Sequence, residues 1–160
     1  MPDQVPGAPR SADLDFAEFY EQQYSAAVKL AAFLSGDRTL AEDLAQEAFT
    51  RLHPKFERLD NPGGYVRTTL VNLCHNQRRS SRRESVRHTR HGPSPATVSD
   101  RAAELDATLG RLSYVERAVV VLRYWLGLSE AEIADHLGCR PGTVKSRNAR
   151  ALKKIRKELS

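Results

Sequence analysis

The sequence predicts an all-α protein: two small helical domains joined by a flexible linker, the C-terminal one carrying a helix-turn-helix. Three observations predict it. Apolar residues recur at i, i+3, i+4 spacings along most of the chain and nowhere alternate as in a half-buried strand. Residues 88–99 interrupt that rhythm with Gly92, Pro93 and Pro95 and have no apolar periodicity. Charge is segmented: net −5 over residues 1–66, +6 over 67–91, −3 over 92–139 and +7 over 140–160, within a total of +5. Two concentrated basic blocks, each after an acidic segment, imply two contact points for a polyanion.

Residues 1–12 are Pro-rich and polar and read as a frayed tail, leaving 13–87 and 100–160 as the two domains around the 88–99 linker. In the first helix Phe16, Phe19, Tyr20, Tyr24, Ala27, Leu30, Ala31 and Leu34 share a face, and Gly36 ends it. Asp37 or Thr39 caps the second, with Glu42 placed for a capping box from Thr39; Leu40, Ala41, Leu44, Ala48 and Leu52 form its apolar stripe, and Pro54 ends or kinks it. Asn61-Pro62 starts a third helix that buries Val66, Leu70, Val71, Leu73 and Cys74 and runs toward Arg83. Beyond the linker, periodicity resumes with Ala103, Leu105, Leu109 and Leu112. Ser113 with Glu116, and Ser129 with Glu132, are capping boxes.

The sharpest local signal is residues 129–157. A short helix from Glu130 to Leu137 is stopped by Gly138, Cys139 and Arg140 make the turn, and Pro141 starts a second helix. Ile133, Ala134, Leu137 and Val144 form the plug between them. This is the spacing of a DNA-binding helix-turn-helix. On a wheel of about 100° per residue the second helix buries Val144, Ala151, Leu152 and Ile155. It presents Ser146, Ala149, Arg150 and Lys153 opposite, flanked by Thr143 and Lys145. Small and polar groups lie where base edges would be met, and cations where phosphates would be.

In the first domain Asp43, Gln46, Glu47 and Thr50 form a polar stripe opposite the apolar one, read either as a solvated face or as a docking surface for a basic partner. The third helix carries Tyr65, Arg67, Asn72, Asn76, Arg78, Arg79, Arg82 and Arg83. An aromatic ring and amides beside arginines suit unstacked DNA bases; a polar surface helix running into a basic linker is the alternative.

Together these motifs resemble a bacterial RNA polymerase sigma factor of the extracytoplasmic-function (ECF) group. Ala41–Phe49 is similar to that family's polymerase-binding helix, Gly64–Arg79 to its −10 helix, and Leu128–Cys139 with Gly142–Arg147 to its region 4 helix-turn-helix. The resemblance covers roughly residues 13–158. It implies that Asp43, Gln46 and Glu47 face the polymerase clamp, with Leu44 and Phe49 supporting from the core and Thr50 on the same stripe. It implies that Asn72 and Asn76, with Tyr65, lie at an opened −10 element. It places Arg140, Thr143, Lys145, Ser146, Arg147, Ala149, Arg150 and Lys153 at −35. Partners implied are core RNA polymerase, promoter DNA and an anti-sigma factor. Tyr65 stands where the family commonly has Trp, and Pro54 follows the polymerase-binding helix early. No third conserved region and no extra C-terminal domain are recognised.

Other classes are disfavoured. The longest apolar runs are five residues (Leu30–Leu34 and Ala118–Leu122), far short of the ~20 of a membrane span, and Met1–Arg10 lacks a signal-peptide core. A cytoplasmic protein with no membrane insertion is expected. Cys74 and Cys139 form no CxxC, so neither metal, disulfide nor cofactor is expected. A nuclease using His75, His88 and His91 lacks any metal-ligand or nucleophile–base spacing. A stand-alone regulator using only the helix-turn-helix, with residues 13–87 as a sensor, is the main alternative.

Overall fold

A computed structural model describes residues 14–84 and 100–159, with side chains for 14–77, 104, 105 and 107–158. The expected tail and linker fall outside the described residues. Seven α-helices are present among the described residues: α1 (Phe16–Ser35), α2 (Arg38–Leu52), α3 (Pro62–Glu84), α4 (Asp100–Gly110), α5 (Tyr114–Val120), α6 (Glu130–Leu137) and α7 (Pro141–Leu159).

The starts of α1, α2, α3, α5 and α6 are each set by a short polar side chain that satisfies free backbone N–H groups. Asp15 accepts from the Glu18 N–H at 2.8 Å. Asp37, not Thr39, caps α2: its carboxylate accepts from the Thr39 and Leu40 N–H groups and from the Thr39 hydroxyl at 2.6 Å. Thr39 is therefore inside the helix and makes no box with Glu42; a carboxylate two residues earlier is the better acceptor. Asn61 caps α3 by accepting from the Gly64 N–H at 2.9 Å. Ser113–Glu116 and Ser129–Glu132 close the two expected capping boxes. After Leu52 the chain tightens into a 3₁₀ segment, His53–Arg58, because Pro54 cannot continue the α-helical ladder.

α1, α2 and α3 enclose Phe19, Leu30, Leu34, Phe49, Leu52 and Leu70, all buried. An aromatic cluster closes one end, with Phe49 in ring contact with Phe16, Phe19, Tyr20 and Tyr24. In the second half α5 and α6 pack on α7 through Val119, Leu122, Ile133, Ala134 and Val144. Leu109 and Leu112 bury against Ala151, whereas Leu105, one turn earlier on the same face of α4, is 51 % exposed and lies beyond the packed contact. After α5 the helix changes pitch at Val121 into a π-helical turn, Val121–Trp125, with the Leu126 N–H donating to the Val121 carbonyl. Glu116, 2 % exposed, is held by the Lys154 ammonium at 2.7 Å. Burial pushes its pKa up, but the hydrogen bonds from Lys154 and Ser113 outweigh that and leave it below the usual carboxylate value.

The two halves are packed together, and one continuous apolar cluster runs from Phe19 and Leu34 through Leu70 to Tyr114, Ile133 and Val144. Arg117 of α5, 1 % exposed, donates from Nε to the Phe33 carbonyl at the end of α1, where a cation meets the helix's negative pole. Its guanidinium also lies 3.5–3.7 Å from where a Cβ on Gly36 would stand; Gly36 has φ 72° and ends α1. The Tyr114 hydroxyl donates to the Val71 carbonyl at 2.6 Å, and its ring stacks on His75 with centroids 4.9 Å apart. The indole of Trp125 meets Phe33 edge-on at 5.1 Å.

Candidate partner and nucleic-acid interfaces

Three surfaces carry the residues singled out by sequence. On α2, Asp43, Gln46, Glu47 and Thr50 are exposed along one side, and Leu44 is half-buried beneath them. Ala41, Ala45, Ala48 and Phe49 fix the opposite face in the core, so the polar stripe must point outward. Gln46 Nε2 donates to the Tyr20 hydroxyl at 2.6 Å, tying the stripe to the aromatic cluster. The Thr50 hydroxyl donates back to the Gln46 carbonyl at 2.8 Å. Glu47 pairs with Arg51 at 3.0 Å, an exposed i, i+4 ion pair of small energetic weight. Tyr20 and Arg51 were not singled out by sequence, because Tyr20 reads there only as part of an apolar stripe.

On α3, Tyr65, Asn72 and Asn76 fall within about 40° of one another on the helix wheel and share a face. Asn72 and Asn76 are exposed and Tyr65 is half-buried. Lys55 approaches Tyr65 from the 3₁₀ segment, its ammonium 5.3 Å above the ring and 3.5 Å from the hydroxyl. Arg67 does not join this face. It lies on the side away from Asn76, half-buried toward α6, with its Nε buried and unpartnered. Burial lowers the Arg67 pKa and the Glu132 carboxylate acts in the opposite sense. Arg78, Arg79, Arg82 and Arg83 lie on the last turns of α3, and their side chains fall outside the described residues.

α6 and α7 form the helix-turn-helix. Gly138 at φ 67° ends α6, where a side chain would be strained, and Pro141 opens α7. Val144 is buried in one cluster with Ile133 and Ala134, and Ala151 in another with Leu109 and Leu112. Arg140, Lys145, Ser146, Ala149, Arg150 and Lys153 are exposed on the other side. The Ser146 hydroxyl donates to the Thr143 carbonyl at 3.1 Å. Asn148, on the packed side, donates to the Tyr124 hydroxyl at 3.0 Å. Thr143 and Arg147 are half-buried and line a cavity together with Val71, Asn72 and His75 of α3.

Between the halves lies a cavity of about 180 Å³ lined by Val71, Asn72, His75, Tyr114, Thr143 and Arg147, among others. Beside it the Thr68 hydroxyl and His136 Nδ1 are hydrogen-bonded at 2.6 Å. Burial, then the nearby Arg67, hold His136 below the ordinary imidazole pKa, while Asp135 and Glu132 pull it back up. Among the described residues no group of three His, Cys, Asp or Glu is placed to hold a metal ion, and no helix is long and apolar enough to cross a membrane.

Comparison with known proteins gives these surfaces a common context. Residues 19–84 match the family described as Sigma-70 region 2, and residues 102–155 that described as Sigma-70, region 4. The chain is 34 % identical to an RNA polymerase sigma-E factor of Streptomyces coelicolor over 91 % of its own length and 86 % of that protein. It is 32 % identical to the ECF RNA polymerase sigma factor SigL of Mycobacterium tuberculosis, over 95 % and 93 % of the two chains. Among solved structures it is similar to the sigma factor RpoE of Bartonella quintana in complex with the anti-sigma factor NepR. That match has a TM-score of 0.73 and 26 % identity over 91 % of this chain and 96 % of that one. With both regions present in order and relatives matched along nearly their whole length, the chain belongs to the ECF group of RNA polymerase sigma factors.

Proposed function

We propose that this sigma factor docks on the polymerase clamp through Asp43, Gln46, Glu47 and Thr50 of α2, with Leu44 and Phe49 supporting them from the core. It reads the opened −10 strand with Tyr65, Asn72 and Asn76. It reads the −35 duplex with Arg140, Thr143, Lys145, Ser146, Arg147, Ala149, Arg150 and Lys153. Residues 13–87 and 100–160 serve as its region 2 and region 4 domains. The observation that carries this reading is the outward stripe of α2 braced by the Gln46–Tyr20 hydrogen bond and the rings beneath it. A docking surface held in place loses less side-chain entropy on binding than a free solvated face.

The protein supplies recognition and the polymerase core supplies the chemistry. Extruding a base from the −10 duplex costs a few kcal/mol, which stacking on Tyr65 and amide contacts from Asn72 and Asn76 offset. Arg79 and Arg83 extend the same helix toward the phosphates, with Arg78 and Arg82 beside them. The protein acts in the cytoplasm, where promoter DNA and polymerase are. An anti-sigma factor controls it by covering these faces; the similar Bartonella sigma factor was solved in complex with the anti-sigma factor NepR.

Gel shifts with promoter duplex, with and without core polymerase, test the reading. Strong binding only with core is expected. Tight, core-independent binding to a palindromic duplex would instead support a stand-alone helix-turn-helix regulator.

A further inference from the structure

We infer that the cavity between the halves is a binding site for a compact aromatic carboxylate, one ring bearing one negative charge. The inference is independent of the DNA assignments above. At about 180 Å³ the cavity matches a single ring in size. An apolar protein cavity of about 150 Å³ holds benzene, and a carboxylate adds little to that volume.

The lining is apolar on one side. Val71 and Tyr114, both buried, and the half-buried Val115 and Leu137 form it. Tyr114 is fixed there, because its hydroxyl donates to the Val71 carbonyl at 2.6 Å and its ring stacks on His75 with the planes 9° apart. A wall fixed before any ligand arrives lowers the ordering cost of binding.

The polar side carries one sign of charge. Among the described residues Arg147 lines the cavity, no Asp or Glu does, and Arg147 is in no ion pair. A half-buried guanidinium with no carboxylate beside it favours an anion, and its planar fork matches a carboxylate with two parallel hydrogen bonds. Thr143, in the first turn of α7, lines the same cavity, and the positive pole of that helix acts in the same sense. The Asn72 amide and the Thr143 hydroxyl add donors. A bare inorganic anion leaves the apolar side wet, and a neutral ring leaves Arg147 unpaired. A ring that carries a carboxylate satisfies both. Because the lining comes from α3, α5, α6 and α7, binding also stabilises the folded chain by mass action.

Benzoate is the probe. Benzamide is its neutral counterpart, and inorganic phosphate is an anion without a ring. Each is titrated at matched ionic strength into the isotope-labelled full chain, and backbone amide shifts are followed by NMR. Benzoate should move the amides of Val115, Leu137 and Thr143 saturably, with a dissociation constant on the order of 1 mM for so small a ligand. It should bind about tenfold or more tightly than benzamide or phosphate. Arg147→Met removes the charge and keeps a long side chain; it should weaken benzoate about tenfold and leave benzamide little changed. Val115→Phe adds ring volume at the lining and should abolish binding of both, with helical circular dichroism retained.

No saturable shift at the cavity overturns the site. Shifts that map instead to Lys145, Arg150 and Lys153 show an anion held loosely on the exposed face of α7 and overturn it equally. Equal affinity for benzamide overturns the charge requirement, and equal affinity for phosphate overturns the ring; either removes the proposed ligand class. No DNA or polymerase is present in the titration, so its outcome is separate from the promoter assignments.

Discussion

At the scale of single residues, two adjacent glycines make opposite predictions. A Cβ on Gly64 would stand 2.7 Å from Asn61 Nδ2 and 3.0 Å from its Cγ, so alanine there displaces the cap of α3. A Cβ on Gly63 meets nothing closer than 3.6 Å. Gly64→Ala should therefore lose about 1 kcal/mol in urea unfolding through the lost cap. Gly63→Ala should gain up to about 1 kcal/mol from helix propensity. Equal effects of the two substitutions would contradict the cap geometry. The Asn61-Pro62 start was legible in sequence; the need for glycine three residues later was not, because it depends on where the amide folds.

His136 makes a second residue-scale prediction. Burial and Arg67 lower its pKa in the packed form, with Glu132 and Asp135 opposing. Above the ordinary imidazole value of about 6.5 it is neutral whether packed or free. As pH falls below that value the free form takes up the proton first, so packing weakens. Trp125 emission followed from pH 7.5 to pH 5.5 should show the junction loosening, and His136→Gln should reduce that dependence. A wild-type junction that tightens toward acid would contradict the assignment.

At the scale of elements, α2 and α7 carry separate tasks and fail separately. Glu47→Lys reverses one charge of the proposed clamp-facing stripe while leaving the buried face of α2 intact. Core association should weaken by roughly fivefold or more, with the helical circular dichroism unchanged. Undiminished co-purification with core would remove Glu47 from the docking surface. Arg150→Ala should cost about 1–3 kcal/mol at a cognate −35 duplex and less at a mutated one if Arg150 reads a base edge. A uniform loss on all sequences would assign it to phosphate.

Helix starts and stops were largely legible because they depend on local chemistry: Asn61, Ser113, Ser129, Gly36 and Gly138 act within their own turns, whereas the Asp15 cap of α1 was not singled out. The capping choice between Asp37 and Thr39 was left open by sequence, since either side chain can accept. The π turn at Val121–Trp125 left no sequence mark, because its apolar residues satisfy a helical period either way.

At the scale of the whole molecule, the sequence divides the chain at residues 88–99 but is silent on the packing of its halves. Tyr114, Arg117, Thr68, His75 and His136 join them, and although Thr68, His75 and His136 lie within motif stretches, nothing in those stretches marks them as contacts between the halves. A buried arginine such as Arg117 reads as an ordinary charged residue until the α1 carbonyl end is placed beside it. The same silence hides Tyr20 under Gln46. What was legible of the functional surfaces is the outward set on α2 and α7, where amphipathic spacing alone fixes which side faces solvent. The turning of Arg67, Thr143 and Arg147 toward the junction was not legible, because it depends on contacts between helices far apart in sequence.

The central claim is that this chain confers promoter choice on a polymerase that lacks it. Run-off transcription by core polymerase, with and without the protein, on promoters from its own genome tests that directly. The account predicts discrete transcripts that appear only when the protein is added. They should be lost when either the −10 or the −35 element is scrambled. No promoter-dependent transcript from competent core would contradict it.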